Sequence, residues 1–150
     1  MDVSKISDTL KQALEIMGCD PSLIADIDHH STIELSFGEK PSIMFSAVNG
    51  VVVLWSAVTK YDHHALLNAA SQLIESLVAT CDWSMTGQLQ LVEDDGSFVL
   101  RVFLSENTIE QGELLAGVFK QIFDRVETIR QAGKKSRKAC GGKFLIVKLD

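Results

Sequence analysis

Ile43-Met44-Phe45-Ser46-Ala47-Val48-Asn49-Gly50-Val51-Val52-Val53-Leu54-Trp55 is the stretch on which the fold turns. Ile43, Phe45 and Ala47 alternate with other residues in the period of two expected of a half-buried strand. Asn49-Gly50 then reads as a two-residue hairpin turn, because both of its positions need a positive φ. The run that follows, Val51–Val58, is apolar on both faces. It is expected to be a central strand covered on both sides.

Working outward, Ile33, Leu35 and Phe37 alternate with Thr32, Glu34 and Ser36 as a first strand, and Gly38–Pro41 is the turn that joins it to the second. Upstream, Val3, Ile6, Leu10, Ala13, Leu14 and Met17 recur at spacings of three and four. They predict a first helix, with Gly18 at its C′ position and Asp20-Pro21 barring continuation. Residues 19–30 are read as a connection with a helical turn around Ser22–Ala25. Downstream, Asp62 is the expected N-cap of a second helix. Its stripe, Leu66 to Cys81, is broad enough to pack on its own sheet and on a partner. Gln88–Val92 and Phe98–Leu104 predict a second hairpin around Glu93-Asp94-Asp95-Gly96, with Phe98, Leu100, Val102 and Leu104 facing one way and Arg101 the other. Thr108-x-x-Gln111 matches a capping box. A third helix follows, with Leu115, Val118, Phe119, Ile122, Phe123, Val126 and Ile129 on its apolar face and Gly133 at its end. The order is α-β-β-β-α-β-β-α, a single α+β domain with a twisted antiparallel sheet over residues 1–132, followed by a basic tail, 133–150.

The charge divides close to the same place. The 150 residues carry 14 Lys+Arg and 20 Asp+Glu, a net of −6. Residues 1–129 hold 19 acids and seven bases, a net of −12; residues 130–150 hold seven bases and one acid, a net of +6. An acidic body argues against a nucleic-acid partner, since phosphate contacts need Lys and Arg. A tail of opposite sign is expected to associate with the body of its own or a neighbouring chain, subject to salt screening beyond about 10 Å at 0.1 M. Within the tail, Phe144–Leu149 reads as a short strand and a self-docking edge segment. Apolar residues make up 46% of the chain and the mean hydropathy is +0.15, more than a small disordered chain carries, which favours an oligomer or a binder. The longest fully apolar run, Val51–Trp55, is too short to insert in a membrane. The N-terminus lacks signal-peptide regions, and three widely spaced cysteines (Cys19, Cys81, Cys140) read as free thiols in a reducing cytosol.

Candidate catalytic and metal chemistry is thin. Adjacent side chains point apart on a regular element, so neither His29-His30 nor His63-His64 chelates a metal alone. His63 and His64 read as solvated residues of a first helical turn. Glu93, Asp94 and Asp95 read as a solvated hairpin turn, and Cys81 as a small core group. An enzyme using Cys19, His29 or His30 would need two converging polar groups in a closed pocket, which no motif indicates. No cofactor, metal or catalytic residue is assigned. Trp55 is expected in the core. Trp83, just after the second helix, is an expected interface anchor, because Trp is enriched at such positions.

Gly18-Cys19-Asp20-Pro21-Ser22-Leu23-Ile24, Asp28-x-His30-Ser31-Thr32-Ile33, Pro41-Ser42-Ile43 and Leu54-Trp55 stand in an order and spacing that resembles the SpaK/InvB class of type III secretion chaperones. The resemblance covers about residues 3–132; the tail lies outside it. It implies a non-enzymatic homodimer of the bacterial cytoplasm that binds the N-terminal segments of several secreted effectors. Such a chaperone keeps those segments extended and helps deliver them to the export ATPase. It also implies a dimer built from the second helix and the strand after it, with Leu66, Ala70, Leu73, Leu77, Trp83, Leu89 and Leu91 as interface residues. An effector segment can add a strand to a sheet edge and set alternate side chains in pockets. The residues assigned to that role are Leu10, Leu14, Ile33, Leu35, Ile43 and Phe45, each of which suits ordinary core equally well. The competing reading is a small-ligand-binding regulatory α+β dimer, which predicts a deep apolar cavity in place of shallow grooves.

Overall fold

A computed structural model describes residues 3–20, 32–60, 62–133 and 144–149. Helix α1 (Val3–Ile16) leads into strands β1 (Thr32–Phe37), β2 (Ile43–Val48) and β3 (Val51–Lys60), then helix α2 (His63–Val78). Strands β4 (Gln90–Asp94) and β5 (Ser97–Phe103), a short helix α3 (Glu106–Ile109), the long helix α4 (Gly112–Gly133) and strand β6 (Phe144–Leu149) complete it. The strands form one antiparallel sheet in the order β4-β5-β3-β2-β1-β6. The expected α+β order holds, with α3 as an addition, and β6 is the edge strand expected at Phe144–Leu149. Residues 22–25, the expected helical turn, lie outside the described residues.

Local chemistry sets the joints. Asn49 and Gly50 take φ of 53° and 78°, and Asp95 and Gly96 take 48° and 77°, so both hairpins close on two-residue turns of the expected hand. Gly18, at φ 84°, ends α1: its N–H reaches the Glu15 carbonyl, and the Cys19 N–H reaches that of Leu14. This doubly bonded ending satisfies two of the helix's orphan carbonyls. Asp62 caps α2 by accepting from the His64 backbone N–H at 2.9 Å.

Three sequence expectations need correction. The second helix stops at Val78 rather than reaching Cys81, because Ala79 is extended and the Cys81 N–H turns away to the Gly87 carbonyl. Thr108 does not cap the long helix. It is buried within α3, its hydroxyl 2.9 Å from that of Ser105, while Gln111 donates to Asn107 and its carbonyl accepts the first bond of α4 from Leu115. Finally, β3 is central but covered on one face only. Val52, Leu54, Ser56 and Val58 point into the core, whereas Val51 and Ala57 are exposed and Val53 and Trp55 half-buried on the other face. Trp55 is thus not a core residue.

The core lies between the inner face of the sheet and the helices. Helix α4 is its centre, packing on α1, α2 and β3. All seven residues predicted for its apolar face are buried. Phe119, fully enclosed, sets its ring 6.4 Å from that of Phe45 on β2. The one polar side chain on the inner face of β3, Ser56, donates to the Ser42 carbonyl at 2.6 Å, which removes the cost of burying its hydroxyl.

Two outcomes follow. Phe119→Ala removes the largest fully buried side chain and should lower unfolding stability in urea by about 3–5 kcal/mol, against under about 1 kcal/mol for Val51→Ala on the open face. Cys19, 4% exposed, has its thiol pKa pushed above the ordinary 9.0, first by burial and then by the Asp20 charge. The neutral thiol supports the fold below 9.0, and that support is lost as pH rises through the higher folded-state value. At pH 8, iodoacetamide should alkylate Cys19 about tenfold more slowly in the native chain than in urea; equal rates would contradict its burial.

Candidate protein-docking surfaces

The structure places all six residues assigned to effector contact inside the chain. Leu10, Leu14, Ile33, Leu35, Ile43 and Phe45 are at most 3% exposed, enclosed between α1, α4 and the sheet. In this arrangement of the chain their side chains are closed to solvent. The strand and helix periods hold, and α1, β1 and β2 turn these faces into the core.

The seven residues assigned to a dimer interface divide. Leu73, Trp83 and Leu89 are buried, and Leu66, Leu77 and Leu91 are half-buried against the core; Ala70 is half-buried as well. Trp83 lies beneath Arg125, whose guanidinium sits 5.7 Å from the ring and also donates to the Cys81 sulfur at 3.4 Å. That contact uses the indole face within the chain. The solvent side of α2 instead carries Leu67, Ile74 and Val78, each 60–64% exposed, with Met85 beyond the helix at 61%. Leu67, Ile74 and Val78 are spaced by seven and four, so they share one face of the helix. The broad stripe seen in the sequence is therefore two stripes. Ala69 and Leu73 face in, and a second row, rotated by about one residue, faces out. Burial against α4 decides which row is which.

A second surface lies where the end of α1 meets α4. Ile16, Met17, Ala116, Gly117 and Phe123 floor an open groove of about 440 Å³ rimmed by Lys40, Glu113, Lys120 and Asp124. Ile16 is 52% exposed. Gly117 sits in mid-helix, where glycine costs about 1 kcal/mol relative to alanine. A Cβ built there meets nothing within 4 Å. No packing within the described chain requires the glycine, and its absent side chain leaves the backbone of α4 open at the groove. In the sequence, Ile16 and Gly117 were legible only as breaks: an apolar residue off the α1 stripe and a glycine inside a strong helical pattern.

The third surface is the open face of the sheet. Val53, Trp55, Val92, Val99 and Phe103 line a shallow depression with Arg101. Arg101 is held by a hydrogen bond to the Gln90 side chain at 3.1 Å and lies over the Phe103 ring at 5.2 Å. A patch of this composition, apolar with an anchored cation and acidic Glu93 and Asp94 at its margin, is adhesive rather than reactive. His63 and His64 are exposed in the first turn of α2. His29 and His30 lie outside the described residues. Among the described residues no three His, Cys, Asp or Glu side chains converge on a metal-sized site, and no helix is long and apolar enough to cross a membrane.

Residues 18–95 match the model of the Invasion protein B family. The surface presentation of antigens protein SpaK of Salmonella typhimurium is 29% identical over 127 residues, which is 85% of this chain and 94% of that protein; the Salmonella typhi protein of the same name matches equally. A chain of the heterodimeric ExoU–SpcU complex, from the type III secretion system of Pseudomonas aeruginosa, shares the fold. It superposes with a TM-score of 0.56 at 16% identity, over 82% of this chain and 96% of that one. The family match spans more than half of the chain, includes the linked motifs from Gly18 to Trp55, and agrees with the observed order of helices and strands. The chain thus belongs to the Invasion protein B family, the non-enzymatic SpaK/InvB class of type III secretion chaperones.

Proposed function

We propose that this chain works as a homodimer that takes up the N-terminal segments of secreted effectors, keeps them extended, and passes them to the export ATPase from the bacterial cytoplasm. The observation that carries the reading is the set of large apolar side chains left in solvent on a family chaperone whose body is strongly acidic. The structural relative is a complex of two different proteins, which is consistent with capture of a partner chain by this fold.

The outer row of α2 is assigned to the second copy. Leu67, Ile74, Val78 and Met85, going from about 60% exposed to buried, contribute about 4–7 kcal/mol together. That only matches the lower end of the cost of association, about 4–15 kcal/mol. A stable dimer on this face therefore needs further contacts, and half-buried Leu91 on neighbouring β4 is suited to supply one. The interface assigned from the resemblance is retained as to element but moved around the helix, from Leu66, Leu73 and Leu77 to Leu67, Ile74 and Val78.

The α1–α4 groove is assigned to the effector. Ordering an extended segment costs about 2–5 kcal/mol of the gross interaction energy. Burying two or three apolar side chains in the groove offsets it at about 1.5–3 kcal/mol each. Both concavities are open to solvent, a shape that suits a segment laid along the surface better than an enclosed small ligand. Two copies hold one long segment at two places and raise its effective concentration.

Leu67→Asp with Ile74→Asp should convert the dimer to a folded monomer in analytical ultracentrifugation, with each change costing about 2 kcal/mol or more of dimer stability; an unaltered dimer would move the interface elsewhere. Gly117→Leu should leave unfolding stability equal or raised by up to about 1 kcal/mol, yet weaken effector-segment binding about tenfold by filling the groove. Co-expression with the first hundred or so residues of secreted effectors from the same genome is the direct test. A complex that persists through gel filtration supports the chaperone reading, and failure of every such segment to co-elute refutes it.

A further inference from the structure

The two edges of the sheet are treated differently. The β4 edge ends in the acids Glu93 and Asp94, a charge guard against unwanted strand pairing. The β1 edge alternates Ile33 and Leu35 with polar residues and would expose a row of unpaired backbone groups. It is covered by β6, which pairs antiparallel from Thr32↔Leu149 through Phe37↔Phe144. That ladder has six paired positions, against three between β1 and β2, so β6 supplies much of what holds β1 in the sheet. Ile146 stands opposite Leu35 and packs against the core.

The connection is long enough for β6 to come from the same chain. Gly133 lies beside Val58, Thr59 and Ser97, at the end of the sheet where β6 begins opposite Phe37. β6 is three strand positions from β3, about 14 Å. The ten residues 134–143 span up to about 33 Å. Pairing in cis therefore requires no exchange between copies.

We propose that β6 is a displaceable cap on a strand-accepting edge, an internal stand-in for an incoming extended segment that carries a run of apolar residues. This rests on the reading of the chain as a receiver of extended segments. The cap protects the edge against self-association until a segment of the same pattern exchanges with it. A tethered strand competes at an effective concentration in the mM range, so it sets a threshold of affinity that an incoming segment must pass. The β1 edge and the α1–α4 groove thereby become separate sites, one gated and one open.

The test uses the full chain and a fluorescent synthetic peptide of residues 143–150. Ile146→Asp removes the core contact of the cap. The peptide should bind the Ile146→Asp chain roughly tenfold or more tightly than the native chain, and amide exchange in residues 33–37 should be faster in the variant and slowed again by the peptide. Equal binding to both chains, or unaltered exchange, overturns the proposal. A second variant, Ser36→Cys with Leu145→Cys in a Cys140→Ser background, locks an opposed pair. A disulfide within one chain that blocks peptide uptake until reduced supports the cap in cis; a disulfide between chains overturns it. An effector segment that protects the amides of residues 33–37 equally in locked and native chains overturns the cap and leaves the chaperone reading intact. Peptide exchange as expected, with no effector segment binding any form, leaves the cap intact and removes the chaperone reading.

Discussion

Burial of one face of α4 against the inner face of the sheet is the constraint from which the rest follows. Leu115, Phe119, Ile122, Val126 and Ile129 are all at most 4% exposed, and Phe119 bridges from the helix to Phe45 on β2. Because α1 and α2 flank α4, each has one side committed to it. That commitment turns Leu10 and Leu14 inward on α1, and Ala69 and Leu73 inward on α2. What remains outside on those helices is what a partner can touch.

The same packing puts none of the described helices on the sheet's other face. A long antiparallel sheet with helices on one side needs alternation on its strands, and β1 has it. β3 does not: Val51, Val53 and Trp55 lie on the open face. The apolar outer face of β3, the outer row of α2 and the groove at the end of α1 share one cause. The chain has more apolar side chains than its single layer of helices can enclose. The acidic body offers a counterweight, since a net of −12 over residues 1–129 keeps exposed apolar patches from mediating indiscriminate association.

Most of the fold was legible because the deciding signals are local. Asn49-Gly50 needs positive φ, Gly18 ends a helix, Asp62 caps one, and the α4 stripe repeats at helical spacing; each acts within a few residues. The misreadings concern quantities that are not local. The capping box at Thr108 failed because tertiary burial of α3 put Thr108 in the core. The expected cover over both faces of β3 failed because an apolar run is the same whether a partner or the chain itself meets it. The site was less legible. Contact residues chosen by apolarity alone fall on the core, because core and surface apolar residues look alike in one dimension. Ile16 and Leu67 differ from them only in where they point.

By itself, then, the sequence determined the elements, their order, both hairpins, the helix ends and, through the linked motifs from Gly18 to Trp55, the family. These are set by backbone preferences and short-range periodicity. Only the tertiary structure decided which edge of each apolar stripe is enclosed, that the described helices leave one face of the sheet open, and that the strand of the basic tail docks on the β1 edge. The reason is physical. Burial is a property of what lies across the core, and each strand or helix finds that partner tens of residues away, where no local pattern points.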